Sequence, residues 1–158
     1  MRMAAFLALL AVATGAAGCG KPAPTGPAIS TASSGDLKTT LAIDREFARV
    51  GQTLHVTLMA RNTGIHTLQI EARTGAPMLV TIWKYDVLKG WQRIGQYPEA
   101  AIFQLTPWKL GPFAQRTFEM DVPVGQSWPT NENIRLSAEL NGRPDARPYL
   151  LVKVLTGE

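Results

Sequence analysis

Along most of this chain apolar and polar residues take turns. Leu54, Val56, Leu58 and Ala60 fall on one side, and His55, Thr57, Met59 and Arg61 on the other. Phe118, Met120 and Val122 alternate with Thr117, Glu119 and Asp121, and Ile134, Leu136, Ala138 and Leu140 with Arg135, Ser137, Glu139 and Asn141. Leu150, Val152 and Val154 close the chain in the same way. Successive side chains of a strand leave on opposite faces, so each run predicts a strand with one buried and one solvated side. Further strands are expected at 38–44, 67–72, 78–85 and 91–97, with a shorter one at 101–105. Turn signals separate them at Asn62-Thr63-Gly64, Thr74-Gly75-Ala76-Pro77, Lys89-Gly90, Gly111-Pro112, Val124-Gly125 and Asn141-Gly142. No stretch carries an amphipathic helix of three turns. About seven to nine short antiparallel strands at this spacing predict an all-β chain, a single Ig-like β-sandwich.

The alternation fails at the N-terminus. Met3 to Ala17 is an apolar run behind Arg2, and Ala16-Ala17-Gly18 precede Cys19, the single cysteine. A membrane-spanning helix needs roughly 20 apolar residues, so this shorter run reads as an export signal. It resembles the signal peptide of a bacterial lipoprotein, with residues 1–18 removed and Cys19 carrying the lipid. An Ala-x-Ala-type reading of the same residues gives plain secretion instead. One cysteine at the cleavage point leaves the mature fold without a disulfide or a thiol site. The lipoprotein resemblance implies two or three acyl chains on Cys19, which hold a membrane far better than one. It places the domain outside the cytoplasm in the cell envelope. Gly20 stands where enterobacterial lipoproteins carry Asp for the inner membrane, so the periplasmic side of the outer membrane is favoured. Residues 19–35 hold prolines, small polar residues and one large apolar side chain, Ile29. Such a stretch buries too little to offset its ordering entropy, so a flexible tether is expected there, with an edge strand near residues 29–31 as the alternative. Residues 36–158 then form one domain of ordinary size.

Charge narrows the partners. The formal net charge is +4, with both signs scattered and no basic run, which argues against nucleic-acid binding. No Gly-x-Ser-x-Gly elbow, His-Glu-x-x-His or phosphate loop is present, so no catalytic residue and no cofactor is expected. His55 with Met59, and His66 if its strand pairs with theirs, make a conceivable soft-metal pair, but two residues without fixed spacing predict no metal site. Glu119 with Asp121, and Asp44 with Glu46, read as solubilising charge.

The segment Val50-Gly51-Gln52-Thr53-Leu54-His55-Val56-Thr57-Leu58-Met59-Ala60-Arg61-Asn62-Thr63-Gly64 resembles the opening of the BsuPI-type domain, a family named for an intracellular proteinase inhibitor. Trp108-Lys109-Leu110-Gly111-Pro112-Phe113-Ala114-Gln115-Arg116-Thr117-Phe118 resembles its Leu-x-Pro-Gly turn and following strand, with Gly-Pro here in place of Pro-Gly. The resemblance spans about residues 50–155 and implies an Ig-like sandwich; proteinase inhibition through a loop at 104–114 is its further implication.

Aromatic side chains concentrate between Trp83 and Trp128. Trp83 and Tyr85 share one face of a strand whose other face carries Val80 and Ile82, so the strand is either buried twice or presents an aromatic platform. Trp108 and Trp128 sit beside prolines in expected loops, and Phe113 lies in the Gly111-Pro112 turn. Exposed rings there can stack on sugar or anchor a protein. Arg143 and Arg147 form a proline-stiffened basic loop suited to an acidic partner. The sequence therefore predicts a lipid-anchored, non-catalytic binding or assembly module. Its expected partners are the membrane, through Cys19, and a protein or cell-wall polymer, through Trp108, Trp128, Phe113, Arg143 and Arg147. Proteinase inhibition and carbohydrate or peptidoglycan binding are the alternatives.

Overall fold

A computed structural model describes residues 28–72, 75–99 and 106–156. Among them are eleven strands and no helix: β1 Ala28–Ser34, β2 Leu37–Ile43, β3 Phe47–Arg49, β4 Thr53–Asn62, β5 Leu68–Ala72, β6 Met78–Asp86, β7 Gly90–Tyr97, β8 Thr106–Leu110, β9 Gln115–Pro123, β10 Asn133–Leu140 and β11 Tyr149–Leu155. One sheet runs β1-β2-β4-β9 and a second runs β3-β11-β10-β6-β7, with β5-β8 as a separate pair. The all-β sandwich expected from the alternation is thus the fold. All pairs are antiparallel except β3 with β11, which is parallel.

The core lies between the two larger sheets and is filled by the apolar phase of each alternating run. Leu54, Val56, Leu58 and Ala60 of β4 are fully buried, facing Val80, Ile82, Ile134, Leu136, Val152 and Val154 of the other sheet in one cluster. Removing each large side chain from water contributes about 1.5–3 kcal/mol. Thr39 is the polar exception on β2. Fully buried, it donates to the carbonyls of Ala146 at 3.0 Å and Ala32 at 3.3 Å.

Three expectations change. The end of the segment read as tether is a strand. β1 pairs along its whole length with β2, and Gly35, with φ +53°, is the first central residue of the two-residue turn between them. Its Ala, Ser and Thr side chains are half-exposed, so backbone bonding to a buried neighbour orders it, not apolar burial. Trp108 lies on strand β8, not in a loop. β3 was not foreseen because three residues carry no readable period. The strand expected at 101–105, the signal run and Cys19 lie outside the described residues.

Candidate functional site

The outward face of the five-stranded sheet gathers a set of aromatic and cationic side chains. Strand register sets the rows. Arg93, Trp83, Arg135 and Leu151 stand side by side across β7, β6, β10 and β11, while Thr81, Ser137 and Tyr149 form the next row. Trp91 pairs with Tyr85. Because the apolar phase of these strands fills the core, the other phase must carry these groups outward.

Contacts fix them in place. The Trp83 ring N–H donates to Ser137 Oγ at 3.0 Å, and Ser137 Oγ donates to the Thr81 carbonyl at 3.4 Å. Tyr85 and Trp91 meet edge to face with centroids 5.5 Å apart. The Arg135 guanidinium lies 3.9 Å from the Tyr149 centroid and 5.8 Å from that of Trp91. Its Nε is buried and has no hydrogen-bond partner among the described residues. Trp83, Trp91, Arg135, Ser137 and Arg147 line a cavity of about 170 Å³. A cavity of about 150 Å³ holds one six-membered ring, so this hollow takes a group of that size. Arg147 is held at its edge by an ion pair with Glu139. The face offers flat rings for stacking and a guanidinium packed beside them. Among the described residues it holds no nucleophile–base pair.

The residues singled out in the sequence are not brought together. Trp128 is 3% exposed and closes the end of the sandwich, its ring N–H bonded to the Tyr97 hydroxyl, so it offers no surface. Burial and the nearby Glu99 raise the Tyr97 pKa above its ordinary value. Arg143 is committed to Asp145 by two hydrogen bonds of 3.1 and 3.0 Å. Asp145 also accepts from Ser34 of β1, and these bonds hold its carboxyl far below the ordinary range. Only Arg147 joins the sheet-face cavity.

Trp108 is half-buried beside β9. The Arg116 guanidinium lies 5.5 Å from its ring and 5.3 Å from that of Phe118, and the two rings meet at 5.4 Å. Trp108 Nε1 is buried without a partner among the described residues, at a hollow of about 220 Å³ lined by Ala72, Gly75, Pro77 and Arg116. There the cation already covers both rings. Phe113 is 59% exposed. It occupies the third position of the turn Gly111-Pro112-Phe113-Ala114, closed by Ala114 N–H to the Gly111 carbonyl at 3.1 Å, with φ +57°. The turn therefore puts Pro at its second position and a bulky residue where glycine is favoured.

His55 does not meet His66, because β4 pairs with β2 and β9 and not with β5. Its ring instead lies 2.9 Å from Asp121 across the strand pair and 4.0 Å from Glu119. The hydrogen bond to Asp121, reinforced by the surrounding carboxylates, raises the His55 pKa, although both side chains are largely exposed.

Arg135 and Tyr149 escaped the sequence reading as members of this surface. Trp83, Tyr85 and Trp91 were legible as neighbouring aromatics, but Arg135 arrives from a strand about 50 residues away.

No family model matches the chain, and no curated protein matches it. Among solved structures it is similar to the sporulation control protein Spo0M from Bacillus subtilis. Identity is 9% and the TM-score 0.56, over 78% of this chain and 51% of that one. It is also similar to the alkylpurine DNA glycosylase AlkC from Pseudomonas fluorescens, at 10% identity and TM-score 0.50, over 76% of this chain and 30% of that one. At such identities the likeness is one of fold, the β-sandwich, alone.

Proposed function

We propose that this chain is a lipid-anchored, non-catalytic binding module of the bacterial cell envelope, and that the outward face of its five-stranded sheet holds a glycan polymer of the cell wall. The observation that carries the reading is Arg135, stacked on Tyr149 and next to Trp91, beside a ring-sized hollow that it lines with Trp83 and Trp91. Sugar rings stack on such aromatics, and an arginine fork suits the carboxylates of peptidoglycan stems. The run before Cys19 supports export and acylation, and with Gly20 the periplasmic side of the outer membrane. The test is co-sedimentation of the full chain with purified peptidoglycan sacculi. Trp91→Ala and Arg135→Ala each weaken binding about tenfold, whereas Arg116→Ala leaves it unchanged. A wild-type chain that stays in the supernatant ends the reading. Incorporation of labelled palmitate, abolished by Cys19→Ser, tests the anchor.

One observation favours a second reading. Phe113 is an exposed ring on a hydrogen-bonded turn, the geometry a proteinase inhibitor of the kind suggested by the BsuPI resemblance would present. No inhibition across a panel of serine, cysteine and metalloproteinases removes it.

A further inference from the structure

The turn joining β6 to β7 carries the two most exposed large apolar side chains described, Val87 at 88% and Leu88 at 93%. They are adjacent in sequence and stand at a hairpin tip, beyond the reach of the core. The tip is rigid. Asp86 Oδ1 accepts from the backbone N–H groups of Leu88 and Lys89, both at 2.9 Å, and Gly90 supplies a φ of +71°. Gln92 Nε2 donates to the Lys89 carbonyl at 3.0 Å. Backbone groups entering lipid must be satisfied within the protein, and these bonds begin to do that. Exposed Lys89 completes the turn, and exposed Lys84 and Arg93 stand behind it.

The position of the tip gives a further argument. β9 ends, β4 begins, β2 ends and β1 begins at one end of the first sheet, as the pairings Ala28–Ile43, Ile43–Val56 and Leu54–Val122 require. Val50 N–H to the Leu155 carbonyl, Gly51 N–H to the Val124 carbonyl and Asn131 N–H to the Val154 carbonyl bring the end of β11, and so the start of β10, to the same end. β6 runs past Trp83, opposite Arg135 near the start of β10, to its tip at that same end. Ala28, through which the chain continues toward Cys19, therefore lies at the end from which the hairpin projects.

We infer that the β6–β7 tip is a membrane wedge: Val87 and Leu88 enter the acyl boundary of an anionic bilayer while Lys84, Lys89 and Arg93 contact its headgroups. The apolar tip and its cations carry this without the anchor; only the argument from Ala28 rests on the proposed acylation of Cys19. The full chain, purified from the envelope, is reconstituted with vesicles of phosphatidylcholine, with or without phosphatidylglycerol and with acyl-brominated lipid as quencher. Leu88→Trp should show blue-shifted emission and bromine quenching beyond the wild-type background in phosphatidylglycerol vesicles. Adding Lys84→Glu and Lys89→Glu should lower the partitioning by more than about thirtyfold, the loss of two cations alone costing that much. No quenching above background, or quenching indifferent to the charge reversal, overturns the wedge. Mass spectrometry of the N-terminal peptide reads the anchor separately, so its absence refutes acylation while quenching alone decides the tip.

Discussion

Asn62 shows how much one polar side chain can hold. Fully buried at the end of β4, it donates through Nδ2 to the carbonyls of His66, Leu110 and Gly111 at 2.6, 3.1 and 3.0 Å, and its Oδ1 accepts from the Gly64 N–H at 2.9 Å. It thereby joins the two segments on which the family resemblance rests, the Asn62-Thr63-Gly64 turn and the Leu110-Gly111-Pro112 turn. Asn62→Ala strands several buried backbone groups and should lower stability by about 2–3 kcal/mol in urea unfolding. Phe113 illustrates the opposite case. A non-glycine residue at positive φ costs about 1–3 kcal/mol, and glycine at the same place loses part of that gain to backbone entropy. Phe113→Gly should therefore raise the unfolding free energy by about 1 kcal/mol, while removing the exposed ring on which the inhibitor reading depends. A fall in stability would show that the ring is packed. Neither role was legible in the sequence. Asn62 looked like an ordinary turn residue, and the Gly-Pro order obscured which position takes the positive φ.

At the scale of the element, β1 repays attention because composition argued against it. A strand of Ala, Ser and Thr beside prolines has no apolar face to advertise, and only pairing with β2 makes it one. Its far end is pinned by Ser34 to Asp145, itself clamped by Arg143. The depressed carboxyl has a definite consequence for acid stability. A group whose pKa falls on folding stabilises the fold above its unfolded value, near 3.8 here, and loses that contribution as pH drops below it. Thermal unfolding of Asp145→Asn and wild type should therefore differ most near neutrality, and the difference should shrink steadily as pH falls below about 3.8. A gap that stays constant with pH would mean that Asp145 acts through packing and not charge. Strands with regular alternation, such as β4, β9 and β10, were readable to within a residue or two because their inward phase is unbroken. β8 was missed since Pro107 and Trp108 read as loop residues, although pairing with β5 makes them strand.

For the whole molecule, register decides where function sits. The sequence placed its candidates in loops, on Trp108, Trp128, Phe113, Arg143 and Arg147. Folding buries Trp128, ties Arg143 to Asp145 and leaves Arg147 alone at the new cavity. The surface instead forms where two strand pairs from distant parts of the chain, β6–β7 and β10–β11, lie side by side, an arrangement that no local pattern encodes. Core and surface are two phases of the same alternation: Ile82 and Leu136 face inward beside outward Trp83 and Arg135. Hydroxyl-radical footprinting of the full chain with and without soluble peptidoglycan fragments addresses the central claim most directly. Protection of Trp91, Tyr85 and Tyr149, with Phe113 oxidised equally in both states, is the predicted pattern. Protection at Phe113 with the sheet face unchanged, or no protection anywhere, would contradict it.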